Sequence, residues 1–160
     1  MKEFKRTLRF TLYIQIISIC VNFTSCHPLF CWWDMSYSEI SDLNVLGDIS
    51  GSYKLTDKSK KFFKITSSSK EDSFLNISKT GNFEMQNVPS LLKQDLGMPT
   101  NKLIILKNNW TVSCIAKSGC MIELTGLGVR RIAYGKNNNL AILFTIGDGD
   151  TCEGIAYEKE

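Results

Sequence analysis

Residues 109–126 read NWTVSCIAKSGCMIELTG and give the clearest indication of the fold. Apolar and polar side chains alternate on both sides of Lys117, Ser118 and Gly119, which form a turn-like sequence. One face carries Trp110, Val112, Cys114 and Ala116 before the turn, and Cys120, Ile122, Leu124 and Gly126 after it. A period of two is that of a half-buried strand, so the stretch predicts two strands joined by a turn, each with one apolar face.

Further strand-like segments, separated by turn residues, lie on both sides of this stretch. They cover residues 51–56, 74–79, 82–88, 129–134, 140–146 and 151–158, and short helices are predicted over 57–63 and 89–96. About eight short, evenly spaced strands predict an all-β, antiparallel sandwich or barrel. The pattern lacks the strand–helix alternation and the glycine-rich loop of nucleotide-binding folds, so no cofactor of that kind is expected.

Length and composition indicate a single domain. The chain has 160 residues, of which 43% are hydrophobic and 22% charged, with a net charge of +3. This is enough for one core of ordinary size. It is too apolar for a disordered chain and too short for several domains.

The first 25 residues have the features of a secretory signal. Residues 1–9 carry four basic side chains, residues 10–23 are mostly apolar, and Thr24 and Ser25 are small. A basic start, a short apolar core and small residues before the cleavage site define such signals. A retained membrane helix that continues to Trp33 is the alternative, although a span needs about 20 apolar residues and Pro28 interrupts this one.

Cys26 directly follows the small residues at the end of this signal. The sequence Phe23-Thr24-Ser25-Cys26 resembles the lipobox of bacterial lipoproteins, with Phe23 in place of the usual leucine. The resemblance implies lipidation of Cys26 and anchoring to a membrane by acyl chains in the cell envelope, in the periplasm or at the cell surface. A plain secreted chain that begins near Cys26 remains the other interpretation.

This interpretation divides the chain into a signal peptide (1–25), a lipidated N-terminus and tether (26–48), and a β-domain (49–160). Trp32 and Trp33 in the tether suit a membrane interface or the end of a barrel. Removal of residues 1–25 takes away four of 19 basic and one of 16 acidic residues, which leaves 15 of each. The mature chain is therefore neutral overall, and no nucleic-acid partner is expected.

Four cysteines remain after Cys20 and Cys26 are set aside: Cys31, Cys114, Cys120 and Cys152. Four thiols allow three complete pairings, and sequence does not choose among them. Cys114 and Cys120 flank a turn and are a possible disulfide across a hairpin. Their spacing is too long for a zinc pair, so no metal site is expected.

Three stretches carry a second resemblance: GSYKL (51–55), LNISKTGNFEMQNVP (75–89) and IGDGDTCEGIAYEK (146–159). They are similar to the opening strand, a hairpin and the C-terminal motif of a group of poorly characterised bacterial envelope proteins. Gly149, Thr151 and Cys152 depart from the Pro, Ser and Gly of that motif. The resemblance implies a lipocalin-like up-and-down barrel, in which Tyr53 plugs the floor and Phe83 faces the core, but it implies no activity.

Two polar groups have no assigned role. Gly147, Asp148, Asp150 and Glu153 form a motif whose oxygens suit Ca²⁺, although Gly and Asp are also ordinary turn formers and no metal is expected. Arg130 and Arg131 form a pair that suits an anion at the barrel mouth. Alternatively, one of the two arginines packs on Tyr53 as a cation–π contact.

Three function classes compete. The first is a binding module that holds a small apolar ligand inside the barrel, lined by Trp110, Val112, Ile122 and Leu124; bulky side chains filling the barrel would argue against it. The second is a protein-interaction or inhibitor module, as in barrel lipoproteins that inhibit lysozyme, with residues 64–72 as the contact loop. The third, an enzyme, is not expected, because the sequence shows no nucleophile–base pair, metal cluster or cofactor loop, and no catalytic residue is assigned.

Overall fold

The computed structural model describes residues 36–62, 64–65, 72–102, 104–115, 118–135, 137–147 and 153–160. The expected signal segment, Cys26 and the remainder of the tether up to residue 35 lie outside these residues. The described elements, in chain order, are β1 (Ser38–Glu39), α1 (Leu43–Leu46), β2 (Gly51–Leu55), α2 (Asp57–Phe62), β3 (Phe74–Ile77), β4 (Asn82–Gln86), α3 (Ser90–Asp95), β5 (Ile105–Ile115), β6 (Gly119–Leu124), β7 (Gly128–Tyr134), β8 (Leu140–Thr145) and β9 (Gly154–Lys159).

Strands β2 to β9 form a closed antiparallel barrel, which confirms the predicted fold class. Each strand pairs with the next along the chain, and β9 returns to pair with β2. Tyr53 lies opposite Lys159 in this closing pair, and Leu55 lies opposite Tyr157. Most connections are short, as expected for an up-and-down barrel, and the two long ones, β2–β3 and β4–β5, contain α2 and α3. At the β3–β4 turn, Gly81 has a φ of 82°, a conformation that glycine adopts without steric cost.

The strand bounds differ most at β5. The alternation of residues predicts its start at Asn109, but the strand begins at Ile105. Residues 105–109 pair with the whole of β4, whereas residues 110–115 pair with β6. The sequence Ile105-Leu106-Lys107-Asn108-Asn109 has no alternation, so pairing with β4 rather than local pattern establishes this half of the strand.

Residues 38–49 pack against the barrel, although residues 26–48 are expected to form a tether. β1 pairs with β7, where Ser38 lies opposite Tyr134, and the carbonyl of Ile40 accepts a hydrogen bond of 2.6 Å from the Cys120 amide. Asp42 caps α1 through a bond of 2.8 Å from the Asn44 amide. The packed structure therefore includes the described part of the expected tether.

The core lies inside the barrel and extends beyond both of its ends. At the end where β2 begins, Ile40, Leu46 and Ile49 of the N-terminal segment join it. At the opposite end, the core is continued by α3 and the neighbouring turns, through Val88, Leu92, Leu127 and Ile146. Segments outside the strands thus cover the two ends of the barrel.

Candidate functional site

The interior of the barrel is occupied by bulky side chains. The largest fully buried side chains that the strands contribute are Tyr53, Leu55, Leu75, Met85, Ile122, Leu124, Ile132, Ile142, Phe144 and Tyr157. The rings of Phe144 and Tyr157 meet edge to face with centroids 5.4 Å apart. An eight-stranded barrel has room for side chains or for one small ligand. Here the described side chains take up that room.

The residues expected to line a ligand-binding space in the barrel instead pack in or against its core. Ile122 and Leu124 are fully buried, and Trp110 and Val112 are half-buried against the core. The Trp110 indole N–H donates to the Ser78 carbonyl at 2.9 Å, which ties β5 to the β3–β4 turn. Tyr53 and Phe83 are buried, as the resemblance implies, and the Tyr53 hydroxyl donates to the Ile49 carbonyl at 2.6 Å.

Arg130 stacks on Phe144 rather than on Tyr53. Its guanidinium carbon lies 5.0 Å from the Phe144 ring centroid, and one terminal nitrogen donates to the Leu127 carbonyl. Burial lowers the pKa of Arg130, while the nearby Asp95 carboxylate raises it. The buried Nε makes no hydrogen bond to the described residues. The negative charge of Asp95 thus partly offsets the positive charge of Arg130, which weakens the attraction of this arginine for an added anion.

Arg131 lies on the other side of β7. It is exposed and borders a depression of about 220 Å³ that Tyr37 and Leu143 also line. The structure thus separates the arginine pair, with Arg130 in the barrel and Arg131 on its surface. This follows from the alternation of side chains along a strand.

The C-terminal motif is only partly described. Gly147 donates its amide to Asp95 Oδ1 at 2.9 Å, and the Ile146 amide donates to the Glu153 carbonyl at 2.9 Å. The second bond closes the base of the loop between β8 and β9, and the first ties this loop to α3. Asp148 and Asp150 lie outside the described residues.

Cys114 and Cys120 form the expected disulfide. They are directly opposite each other in the β5–β6 pair, with Cα atoms 4.0 Å apart. Cys120 is fully buried. The bond joins the two strands next to the turn that the sequence predicts.

Asp72, the last residue of the expected contact loop (64–72), is held by three polar contacts. Its carboxylate lies 2.8 Å from Lys60 Nζ and 3.3 Å from Lys54 Nζ, and its carbonyl accepts a bond of 3.0 Å from the Asn87 side chain. The hydrogen bond from Lys60, aided by Lys54, lowers the pKa of Asp72. Residues 66–71 lie outside the described part of the chain.

A feature that sequence reasoning missed is an open cleft of about 670 Å³ on the outside of β3, β4 and β5, which we name the outer cleft. Ile77 and Phe83, which belong to its lining, have side chains buried in the core, so their neighbours along the strands point outward. Asn108 lines the outer cleft opposite Phe83, and the other polar residues of the cleft are Asn76, Ser78, Asn82, Glu84, Lys107 and Asn109. They lie in two rows across three strands that are about 4.8 Å apart.

The outer cleft is polar without a net charge among these residues. Lys107 Nζ lies 2.8 Å from Glu84, and this bond, together with one from Gln86, lowers the pKa of the Glu84 carboxyl. The amides of Asn76 and Asn109 make no side-chain hydrogen bond within the described residues. Each free amide offers both a donor and an acceptor. Outward polar positions on three successive strands are the only signal in the sequence, and most solvated strands share it.

The chain matches no protein-family profile, no curated protein and no solved structure. The resemblance to envelope proteins therefore remains a prediction from the quoted motifs. Within the described ranges, no helix has the length and apolar character needed to span a bilayer.

Proposed function

We propose that this chain is a non-enzymatic, lipid-anchored protein of the cell envelope whose barrel binds a partner protein at its outer surface, through the outer cleft. The lipobox-like sequence before Cys26 supports the anchor and the location. The observation that carries the choice of surface is the packed interior, combined with an open cleft outside it. A small apolar ligand inside the barrel is disfavoured because it would have to displace buried side chains, each of which contributes about 1.5–3 kcal/mol through burial.

The chemistry of the outer cleft suits an uncharged, polar segment of that partner. Because Glu84 and Lys107 neutralise each other, neither an anion nor a cation gains a full opposite charge there. The free amides of Asn76 and Asn109 match the paired donors and acceptors of peptide groups. Burying these amides against a partner costs little when each receives a hydrogen bond.

Site-specific photo-crosslinking in the native host tests this function. A photoreactive residue replaces Asn76 or Asn109, and the matched control replaces Val129, which is 55% exposed on β7. We expect one discrete protein adduct from the two cleft positions and none from Val129. Equal adducts at all three positions, or none at the cleft, would contradict the choice of surface.

Two further measurements on the purified protein test the remaining parts of the proposal. Intact mass is expected to show a chain that begins at Cys26 with acyl groups, and a chain that begins at Met1 would remove the anchor. Organic extraction followed by mass spectrometry is expected to release no bound apolar molecule. A stoichiometric apolar molecule would favour the interior as the binding site instead.

A further inference from the structure

Helix α2 presents a basic and aromatic surface to solvent. Lys58, Lys61 and Phe62 of the helix are exposed, and so is Lys64 just after it. Phe62 is 53% exposed, which is unusual for a large aromatic side chain. We name these four residues the α2 surface. α2 itself contributes one carboxylate, Asp57, in its first turn.

The opposite side of α2 is fixed to the barrel. Ser59 is fully buried, and its hydroxyl accepts a hydrogen bond of 2.9 Å from the Ala156 amide of β9. Lys60 is also buried and forms its ion pair with Asp72. Because these two residues hold the helix in place, the α2 surface is displayed in a fixed orientation rather than on a loose loop.

The N-terminal chain approaches the barrel at this helix. The hydroxyl of Ser36, the first described residue, accepts a hydrogen bond of 2.8 Å from Lys58 Nζ. Next to it, the Tyr37 hydroxyl donates to Glu158 at 2.9 Å. Cys26 lies ten residues before Ser36. Ten residues span at most about 35 Å, so an anchor at Cys26 would hold Ser36 and the neighbouring α2 within that distance of the bilayer.

The composition of that connecting stretch agrees with a position at the membrane. It contains Trp32 and Trp33, and tryptophan is enriched at the boundary between lipid and water. Clusters of lysine next to a lipid anchor are attracted to anionic headgroups. Acyl chains combined with basic residues also give firmer membrane binding than one acyl chain alone.

We propose that the α2 surface rests on an anionic phospholipid bilayer, with the lysines at the headgroups and Phe62 at the interface. The proposal rests on the proposed lipid anchor. It also orients the molecule, because β2 runs from Gly51 in the outer cleft to Leu55 next to α2. The outer cleft therefore lies toward the end of the barrel away from the bilayer, where a partner can reach it.

Amine labelling of the host-processed protein tests the orientation. The protein is reconstituted in vesicles of phosphatidylethanolamine and phosphatidylglycerol, or kept in detergent, and treated with an amine reagent that does not cross membranes. Peptide mass spectrometry then measures each lysine. We expect labelling of Lys58, Lys61 and Lys64 to fall about fivefold in the vesicles. Lys79, in the β3–β4 turn at the other end of the barrel, and Lys107, in the outer cleft, are expected to keep their labelling.

A pair of matched variants shows whether the surface itself is responsible. In Lys61→Gln with Phe62→Ser, the protection of Lys58 and Lys64 is expected to disappear. The control variant, Lys79→Gln with Ile115→Ser, changes one exposed lysine and one exposed apolar residue at the other end of the barrel. In this control, Lys58 and Lys64 are expected to remain protected. Equal labelling in vesicles and detergent, or equal protection of all five wild-type lysines, overturns the orientation.

The intact mass of the same preparation separates this inference from the proposed function. If the chain is acylated but its lysines are not protected, the proposed contact of the α2 surface with the bilayer is wrong and the proposed anchor is supported. If the lysines are protected in a chain that lacks acyl groups, the contact of the α2 surface with the bilayer is supported and the proposed anchor is wrong. If neither acyl groups nor protected lysines are observed, the anchor and the α2 surface are both wrong, and crosslinking tests the outer cleft independently.

Discussion

The hydroxyl groups of Ser73 and Tyr157 lie 2.6 Å apart, joined by a hydrogen bond between two buried side chains. The Ser73 hydroxyl is also 3.2 Å from the Gln86 carbonyl, to which it donates its single hydrogen. The Tyr157 hydroxyl is therefore the donor to Ser73. This chain of two bonds links β9 to β4 through the segment that precedes β3.

The two ends of this bond are expected to respond differently to mutation. Ser73→Ala leaves the buried Tyr157 hydroxyl without its acceptor, which costs about 1–3 kcal/mol of the free energy of unfolding. Tyr157→Phe leaves the Ser73–Gln86 bond intact and costs about 1 kcal/mol. Urea unfolding of both variants measures the two values. A larger loss for Tyr157→Phe would contradict the assigned direction of the bond.

Buried phenols predict a loss of stability in alkaline solution. Burial raises the pKa of Tyr53 and Tyr157 above the usual value near 10. Above about pH 10 the unfolded chain ionises these phenols while the folded chain keeps them neutral, so the free energy of unfolding falls as the pH rises. Each phenol contributes about 1.4 kcal/mol per pH unit in that range. Urea unfolding at pH 8 to 11 measures the slope, and Tyr157→Phe is expected to reduce it by one such contribution.

The carboxylate of Asp72 predicts the opposite dependence in acid. Its pKa is lowered chiefly by the bond from Lys60, so it stabilises the fold above the usual aspartate pKa of about 4. That stabilisation is lost as the pH falls through the lowered pKa. Asp72→Asn is therefore expected to unfold at lower urea concentration than the wild type at pH 7, with the difference shrinking below about pH 4. A difference that stays constant down to pH 2 would show that charge is not the cause.

The disulfide predicts a modest effect of reduction. Cys114 and Cys120 are six positions apart. Closing so short a loop lowers the conformational entropy of the unfolded chain, which raises the free energy of unfolding by about 2 kcal/mol. The Cys114→Ala/Cys120→Ala variant and the reduced wild type are both expected to unfold at lower urea concentration. Intact mass before and after reduction verifies that the bond is present in the protein used. Equal stability of the oxidised and reduced forms would mean that the bond does not constrain the unfolded chain.

The parts of the fold that sequence predicts are those with a repeated local pattern. Alternation predicted the β5–β6 hairpin, and the turn between Cys114 and Cys120 made a disulfide between them possible without choosing it over the other pairings. β1 has two residues and α1 has four, too few for any period to appear. Their place at the end of the barrel depends on contacts such as that of Ile40 with Cys120, which join distant parts of the chain.

The outer cleft was beyond sequence reasoning for a different reason. Asn76 and Asn109 are 33 positions apart and line the same cleft only through the register of β3 with β4 and of β4 with β5. A sequence predicts which strands exist better than it predicts which residue faces which. The same limit applies to Arg130, whose ring partner is Phe144 rather than Tyr53.

The pairing of β9 with β2 has a consequence for how the molecule is made. This pairing joins Tyr53 to Lys159, two residues that are far apart in the chain, so the barrel cannot close until β9 has been synthesised. Before that moment, β2 and β8 each present an unpaired backbone edge that can join another chain. The pairing of β9 with β2 and β8 is therefore the step that completes the barrel. A product truncated before Gly154 would have an unclosed barrel with two exposed strand edges, and we expect it to aggregate and to be cleaved readily by proteases.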